Sequence, residues 1–281
     1  MKKIIVILGQ TATGKSVLAV KIAKALGGEI ISADSRQVYK GLSIGTGKII
    51  KKEMRGVPHH LLDVSNPIKK FTIVKFQKLA NQKIKEIIAR GRTPIICGGT
   101  GFYIDAVTKG LAFPAVPPDY LLRKKLALAS DRSLLLILKK LDPRRAKNID
   151  PKNKIRLIRA IEVARRLGKV PHLAVKPPSD YKFVKVGLYL PADKLKKRIE
   201  KRVKGMFKAG LLKEIKKLKR AGISNKRLQE LGFEYFNPTP EKVIKETLKY
   251  AKRQMTWFKR DKEIKWMDAS NFKQMRALKM F

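Results

Sequence analysis

The residues with the clearest chemical meaning form a glycine-containing loop near the N-terminus. They fit the pattern G-x-x-x-x-G-K-[ST] and are Gly9, Gln10, Thr11, Ala12, Thr13, Gly14, Lys15 and Ser16. An apolar run at 3–8 precedes the loop and a helical pattern at 15–26 follows it, which is the context that this motif requires. In such a loop the backbone N–H groups face an anion, Lys15 reaches the terminal phosphates and the Ser16 hydroxyl binds Mg²⁺. The loop predicts a diphosphate or triphosphate ligand and leaves the reaction open.

A carboxylate follows the second apolar strand pattern, at 29–32. Asp34 opens a segment that reads Asp34-Ser35-Arg36-Gln37-Val38-Tyr39. Ligands of open parallel sheets bind beyond the carboxyl ends of the strands, so Asp34 should face the phosphate loop and could accept a proton there. An Asp followed three residues later by Gln is equally typical of a helix capping box. Both interpretations stay open on spacing alone.

An arginine lies on the apolar face of a helix predicted for residues 194–209. At 100° per residue Arg202 falls among apolar positions, namely Leu195, Ile199, Val203 and Met206. An arginine in that place needs an anionic or acidic partner. Either a bound anion or a buried ion pair with Asp or Glu would satisfy it.

Basic residues dominate the chain as a whole. The 281 residues carry 66 Lys and Arg against 22 Asp and Glu, a formal charge of +44, which favours a polyanionic partner such as nucleic acid. In the helical pattern 155–167, Arg156, Arg159 and Arg166 share one face opposite an apolar face. That arrangement suits packing on one side and phosphate contacts on the other, although a solvated face is the alternative.

Two classes of protein are excluded by composition. The chain has one cysteine, Cys97, so it forms neither an internal disulfide nor a cysteine-rich zinc site. It has no apolar stretch near about 20 residues, so we expect no membrane span and a cytoplasmic protein.

Alternating strand and helix patterns predict a parallel, doubly wound sheet. The strand patterns lie at 3–8, 29–32, 93–97 and 183–190, with a helix at 73–89 between the second and third. The predicted fold class is α/β, a P-loop NTPase-like core with an inserted all-helical subdomain. Proline-rich stretches bound that insertion, and the predicted organisation is core at 1–112, helical insertion at 113–181, and core with C-terminal helices at 182–281.

The third strand pattern bears on the class of enzyme. It ends in Gly98-Gly99-Thr100-Gly101, where many nucleotide hydrolases place an Asp that supports Mg²⁺. This counts against a hydrolytic motor but not against a small-molecule or nucleotide kinase. A nucleic-acid-binding ATPase without transferase activity would account for the charge and the loop, but gives Asp34 and Arg202 no role.

An ordered set of motifs resembles the bacterial tRNA dimethylallyltransferases, of the IPP transferase family, over nearly the whole chain. The motifs are the phosphate loop, Asp34-Ser35-Arg36-Gln37-Val38-Tyr39-Lys40-Gly41 with Ile44-Gly45-Thr46, Pro58-His59-His60-Leu61-Leu62-Asp63, Gly98-Gly99-Thr100-Gly101-Phe102-Tyr103, and Tyr250-Ala251-Lys252-Arg253-Gln254-Met255-Thr256-Trp257-Phe258. One departure is Leu231-Gly232-Phe233, where the family commonly has glycine-tyrosine.

The resemblance implies an activity and roles for particular residues. It implies transfer of a dimethylallyl group from dimethylallyl diphosphate to the N6 amine of the adenosine 3′-adjacent to the anticodon, with Mg²⁺. Asp34 matches the general base, Thr13 a threonine near the reacting centre and Arg202 an arginine that grips the diphosphate. Further positions match contacts to the tRNA anticodon stem-loop, and the protein is expected to be a monomer; these positions are Asp34, Ser35, Arg36, Gln37, Thr100, Arg123, Ile155, Arg156, Leu157, Ile158 and Arg159.

Overall fold

The computed structural model describes residues 1–271, which form eight strands and twelve helices. The strands are β1 (Lys2–Gly9), β2 (Gly28–Ser32), β3 (His59–His60), β4 (Thr93–Cys97), β5 (Leu111–Ala112), β6 (Ala174–Val175), β7 (Tyr181–Tyr189) and β8 (Lys265–Asp268). The helices are α1 (Lys15–Leu26), α2 (Lys51–Met54), α3 (Ile73–Ala89), α4 (Gly101–Thr108), α5 (Tyr120–Leu128), α6 (Asp131–Leu141), α7 (Pro143–Lys147), α8 (Lys154–Leu167), α9 (Ala192–Lys208), α10 (Leu211–Arg220), α11 (Asn225–Leu231) and α12 (Pro240–Phe258).

Six of the strands form one parallel sheet, in the order β3-β2-β4-β1-β7-β8. The prediction of a parallel α/β core is confirmed. Parallel register aligns the carboxyl ends of three strands, because Cys97 of β4 lies opposite both Ile7 of β1 and Ser32 of β2. Two hydrogen bonds extend this alignment past the strands, from Gly98 N to Ile7 O at 3.0 Å and from Ala33 N to Cys97 O at 2.8 Å. The segments that follow these strands therefore emerge at one edge of the sheet.

Helices cover both faces of the sheet, as the apolar strands require. In β1, Ile4, Val6 and Leu8 belong to one hydrophobic cluster, and Ile5 and Ile7 belong to another. This alternation follows from the two-residue period of a strand and explains why β1 shows an uninterrupted apolar run. Helices α3, α4 and α10 contribute to the first cluster, and α1 and α9 contribute to the second.

Strands β3 and β8 were not predicted from the sequence. Strand β3 has two residues, too few for a periodic pattern, and β8 extends the sheet beyond β7 with four residues. Both lie at sheet edges, where a strand is held by one neighbour and the demand for apolar residues is weaker.

Residues Leu111–Lys176 form a second compact unit, separate from residues 1–110 and the described residues from 177 onward. The unit contains α5 to α8, which pack around a core that includes Leu134, Leu138, Leu157 and Ile161. The structure adds to the predicted helices a short antiparallel pair, β5 with β6. Its two-residue strands are too short to show alternation. Residues 272–281 of the predicted segment 182–281 lie outside the described part of the chain.

No helix within residues 1–271 combines the length and apolar character needed to cross a membrane.

Candidate active site

A cavity of about 730 Å³ lies at the edge of the sheet where β1, β2 and β4 end. The loop after β1, the turn after β2 and the glycines after β4 form its floor, and α9, α12 and the segment before α2 form its walls. Its lining includes Lys15, Asp34 and Arg202, three of the residues whose types and spacing predicted chemistry.

The phosphate loop begins where only glycine fits. Gly9 has a φ of 129°, and a β-carbon at this position would overlap the backbone oxygen of Leu188 on β7. Within the loop, the Thr13 hydroxyl donates to the Gln10 carbonyl oxygen at 2.7 Å, and Thr13 is buried rather than part of the cavity wall. The position of Thr13 shows that it shapes the loop, and its place near the reacting centre stays a prediction.

The rest of the loop faces the cavity. Thr11, Ala12, Gly14, Lys15 and Ser16 line it, whereas Gly9 and Gln10 lie behind them. The Lys15 ammonium donates to the Gln10 carbonyl oxygen at 2.5 Å. The pKa of Lys15 is lowered to about 8, mainly by burial; Cys97 raises the pKa, and the smaller effects of Arg202 and Asp34 lower and raise it respectively. A bound anion would reverse this shift by favouring the charged ammonium.

Asp34 both forms a backbone turn and lines the cavity. Its Oδ1 accepts hydrogen bonds from the backbone N–H groups of Arg36, at 2.8 Å, and Gln37, at 3.2 Å, and so forms a turn. No helix begins at this turn, so the capping-box interpretation is wrong in its detail. Since Asp34 also lines the cavity, its carboxylate is fixed by backbone donors and remains accessible to a substrate.

The residues that follow Asp34 line the cavity, and Thr100, which comes after β4, supports them. Ser35, Arg36 and Gln37 line the cavity. Thr100 does not line it, but its hydroxyl accepts a hydrogen bond from Ser35 N at 3.0 Å. Thr100 therefore supports the turn that carries the cavity residues.

Arg202 projects from the buried face of α9 into the cavity. The helix buries Leu195, Ile199, Val203 and Met206, as the helical wheel predicted. The guanidinium donates to the Thr46 carbonyl oxygen at 3.0 Å, and within residues 1–271 no carboxylate lies at ion-pair distance from it. Burial lowers its pKa, with opposing effects from Asp34 and Glu234. The geometry favours a ligand anion over a buried ion pair.

Two further residues of the site were missed by the sequence analysis. Gln254 on α12 accepts from Thr11 N at 2.8 Å and donates to Gly99 O at 2.8 Å, so it joins the phosphate loop to the loop after β4. Glu234 lines the cavity, and burial raises its pKa to about 7, with smaller effects from Arg36, Asp34 and Arg202. Gln254 is a polar residue on a buried helical stripe, the same signal that identified Arg202. Glu234 lies in a loop and shows no periodic signal.

In the unit Leu111–Lys176, a buried carboxylate holds two of the predicted RNA-contacting arginines. Glu162 accepts from Arg123 Nε and Nη2, both at 2.8 Å, and pairs with Arg159. These contacts and the Asp119 N–H lower the pKa of Glu162 to about 2, against the raising effect of burial, which is the largest single influence. Both arginine side chains stay about one-third exposed, which leaves part of each accessible to a ligand.

The remaining predicted contacts on α8 divide by face. Ile155 and Arg156 are exposed and Ile158 is half-buried, whereas Leu157 is completely buried. The prediction that Leu157 contacts RNA is therefore corrected, because the helical period turns its side chain into the core of this unit.

Comparison with known proteins identifies the family of this chain. The model of the IPP transferase family matches residues 37–261. The chain belongs to the IPP transferase family. Two similar relatives carry the name tRNA dimethylallyltransferase: one from Anoxybacillus flavithermus, 39% identical over 96% of this chain and 91% of the relative, and one from Geobacillus kaustophilus, 40% identical over 98% and 93%.

Solved structures of IPP transferases share the fold. The tRNA isopentenylpyrophosphate transferase of Bacillus halodurans is 36% identical, with a TM-score of 0.73 over 99% of this chain and 94% of that protein. A eukaryotic dimethylallyltransferase, solved in crystallographic snapshots of its action on tRNA, is 28% identical with a TM-score of 0.83 over 98% and 75%. The kinase and ATPase alternatives are not favoured.

Proposed function

We propose that the protein transfers a dimethylallyl group from dimethylallyl diphosphate to the N6 amine of the adenosine 3′-adjacent to the anticodon in tRNA. The observation that supports this most strongly is the convergence of Asp34, Arg202 and the phosphate loop on one cavity, in a member of the IPP transferase family. The three features supply a proton acceptor, a cationic contact and an anion-binding loop.

The diphosphate end of the donor is assigned to the phosphate loop. Backbone N–H groups and the N-terminus of α1 attract its oxygens, while Lys15 and Arg202 add positive charge. These charges matter most as the allylic carbon–oxygen bond breaks, because the leaving diphosphate then gains charge. The apolar side chains of Val203, Met206 and Phe233 line the same cavity and suit a dimethylallyl group.

The acceptor end is assigned to the turn after β2. The N6 amine forms a bond to the allylic carbon as the bond from that carbon to the diphosphate oxygen breaks, and the amine proton passes to the Asp34 carboxylate. The adenosine must leave its loop stack to reach the cavity, as bases do in other enzymes that modify them. Holding both substrates in one cavity makes the transfer effectively unimolecular.

The site fits Mg²⁺ with one protein ligand. Ser16 is exposed on the cavity wall beside Lys15, and Mg²⁺ typically takes few protein ligands together with water and substrate phosphate oxygens. Within residues 1–271, no three His, Cys, Asp or Glu side chains form a metal-binding group. Bound there, Mg²⁺ would neutralise charge on the diphosphate.

The basic insertion is the proposed contact for the anticodon stem. Arg123, Arg156 and Arg159 offer charges to phosphates, and Glu162 fixes two of them. We further propose that the protein acts as a monomer in the cytoplasm, where its tRNA substrates are found.

One assay separates this function from a kinase or an ATPase. Purified protein is incubated with unmodified tRNA and radiolabelled dimethylallyl diphosphate in the presence of Mg²⁺ and without ATP. The proposal requires label on the tRNA and none on a control tRNA with guanosine at the same position. Label that stays on the diphosphate compound, together with ATP consumption in a parallel reaction, would establish one of the alternatives.

A further inference from the structure

The carboxylate of Glu214 on α10 accepts four hydrogen bonds. Oε2 accepts from the backbone N–H groups of Ser43, at 3.1 Å, and Ile44, at 2.8 Å. Oε1 accepts from Gly45 N at 3.2 Å and from the Tyr235 hydroxyl at 3.0 Å. One side chain thus holds three consecutive backbone N–H groups, which fixes both the position and the orientation of the loop that contains them.

The same loop contacts Arg202 on its other side. The Thr46 carbonyl oxygen accepts from Arg202 Nη2 at 3.0 Å and from Gln37 Nε2 at 3.4 Å. Gly47, with a φ of 55°, lies directly against the guanidinium, and a β-carbon there would overlap Nη2. Because an arginine side chain has many rotamers, the place of this guanidinium depends on the loop segment 43–47.

We propose that Glu214 is a positioning residue for diphosphate binding, which sets the place of the Arg202 guanidinium by anchoring the segment 43–47. The inference rests on the proposed function in its use of Arg202 as a diphosphate contact. Glu214 itself does not line the cavity, whereas Thr46, Gly47 and Arg202 do. Its effect on the ligand therefore passes through the loop.

The substitution Glu214→Gln tests the anchor with little change in volume. A carboxylate has two acceptor oxygens, and the amide keeps one of them and replaces the other with an NH₂ group. With the NH₂ group in place of Oε2, the Ser43 and Ile44 N–H groups lose their acceptor. With it in place of Oε1, the Gly45 N–H loses its acceptor, while the Tyr235 hydroxyl can rotate and accept from the amide, so at least one backbone hydrogen bond of the anchor is lost either way. The loop and Arg202 should shift, since interactions that align a binding group are sensitive to small displacements.

The experiment is a double-mutant cycle. Isothermal titration calorimetry measures the affinity of each protein for inorganic diphosphate in Mg²⁺-containing buffer. The four proteins are the wild type, Glu214→Gln, Arg202→Ala and the double variant. We expect Glu214→Gln to weaken binding about tenfold in the wild-type background and to have no further effect once Arg202 is absent. A fall of equal size in both backgrounds, or no fall at all, would overturn the proposal.

Glu230→Gln is the matched control. Glu230 also accepts hydrogen bonds, from Arg227 and Lys70, but lies outside the cavity wall, so its substitution should leave diphosphate affinity unchanged. An equal loss in this control would show general destabilisation and contradict the proposal. If Glu214→Gln does not fold, Tyr235→Phe replaces it in the cycle, since it removes one of the four hydrogen bonds and keeps the ring. Its smaller loss must likewise disappear when Arg202 is absent, and a loss that persists overturns the proposal.

The use of diphosphate keeps this test separate from the proposed function. If the protein binds diphosphate but transfers no prenyl group to tRNA, the proposed function is refuted, while the double-mutant cycle still tests the role of Glu214 in diphosphate binding. A wild type that binds no diphosphate would overturn both.

Discussion

At the scale of single residues, the site combines groups whose charges depend on burial. Lys15 is the clearest case, because the pKa of its ammonium falls to about 8 in the cavity, mainly through loss of hydration. The charged ammonium of Lys15 is therefore less populated than that of an exposed lysine. A bound anion would stabilise the charged form and raise its population.

This shift predicts how diphosphate affinity depends on pH. Above pH 8 the free protein loses the Lys15 proton, and binding then requires proton uptake, so affinity should fall by up to about tenfold per pH unit. Calorimetric titration with inorganic diphosphate on both sides of pH 8 measures the effect. Lys15→Arg, which stays charged, is the control for titration of the ligand itself. A parallel pH dependence in the two proteins would contradict the prediction.

Residue-level chemistry was predictable where a motif or a helical wheel defines it. The phosphate loop follows from its spacing, and Arg202 follows from its place on an apolar stripe. The place of Asp34 at the cavity was predicted from its position after β2, but the backbone hydrogen bonds that hold its carboxylate are visible only in the three-dimensional turn. Glu234 was not predictable, because its burial arises from residues that converge from distant parts of the chain.

At the scale of elements, α12 forms part of the cavity wall, and its sequence predicts only some of the contacts that hold it there. Its buried stripe consists of Val243, Thr247, Ala251, Gln254 and Phe258. Apolar residues on such a stripe predict packing, and a buried glutamine among them predicts a hydrogen-bonding partner. Which partners it finds depends on the sheet order, since Thr11 and Gly99 follow neighbouring strands.

Gln254→Leu should destabilise the protein through these two bonds. The substitution removes the partner of a buried carbonyl, Gly99 O, and of a part-buried N–H, Thr11 N, at a cost of about 1–3 kcal/mol in the free energy of unfolding. Urea unfolding measures this loss, with Gln82→Leu as control, because Gln82 is exposed and donates to Glu86 on its own helix. Equal stability of the two variants would argue against Gln254 as a bridge.

At the scale of the whole molecule, the formal charge of +44 is much larger than the positive charge that lines the cavity. A polycation binds RNA partly by releasing counterions from phosphates, so each contact adds to the salt dependence of affinity. The general attraction was predictable from composition. The ion pairs that fix Arg123 and Arg159 on Glu162 were not, because composition does not show which cations are held in place.

Arg156→Ala should weaken tRNA binding without affecting diphosphate binding. Arg156 is exposed on α8, and loss of one phosphate contact should reduce the slope of log affinity against log salt by about one. Filter binding at several salt concentrations measures the slope. Lys139→Ala, an exposed cation on α6 with no assigned contact, is the control. An unchanged slope for Arg156→Ala would exclude it from the RNA interface.

The most direct test of the whole account concerns the Asp34 carboxylate. In Asp34→Asn the amide oxygen can still accept from Arg36 N and Gln37 N, so the turn is kept while the base is removed. The measurement is the single-turnover rate of prenyl transfer to tRNA with both substrates saturating, alongside tRNA affinity. We expect this rate to be at least about a hundredfold lower than that of the wild type, with tRNA affinity nearly unchanged. A wild-type rate in this variant would contradict it.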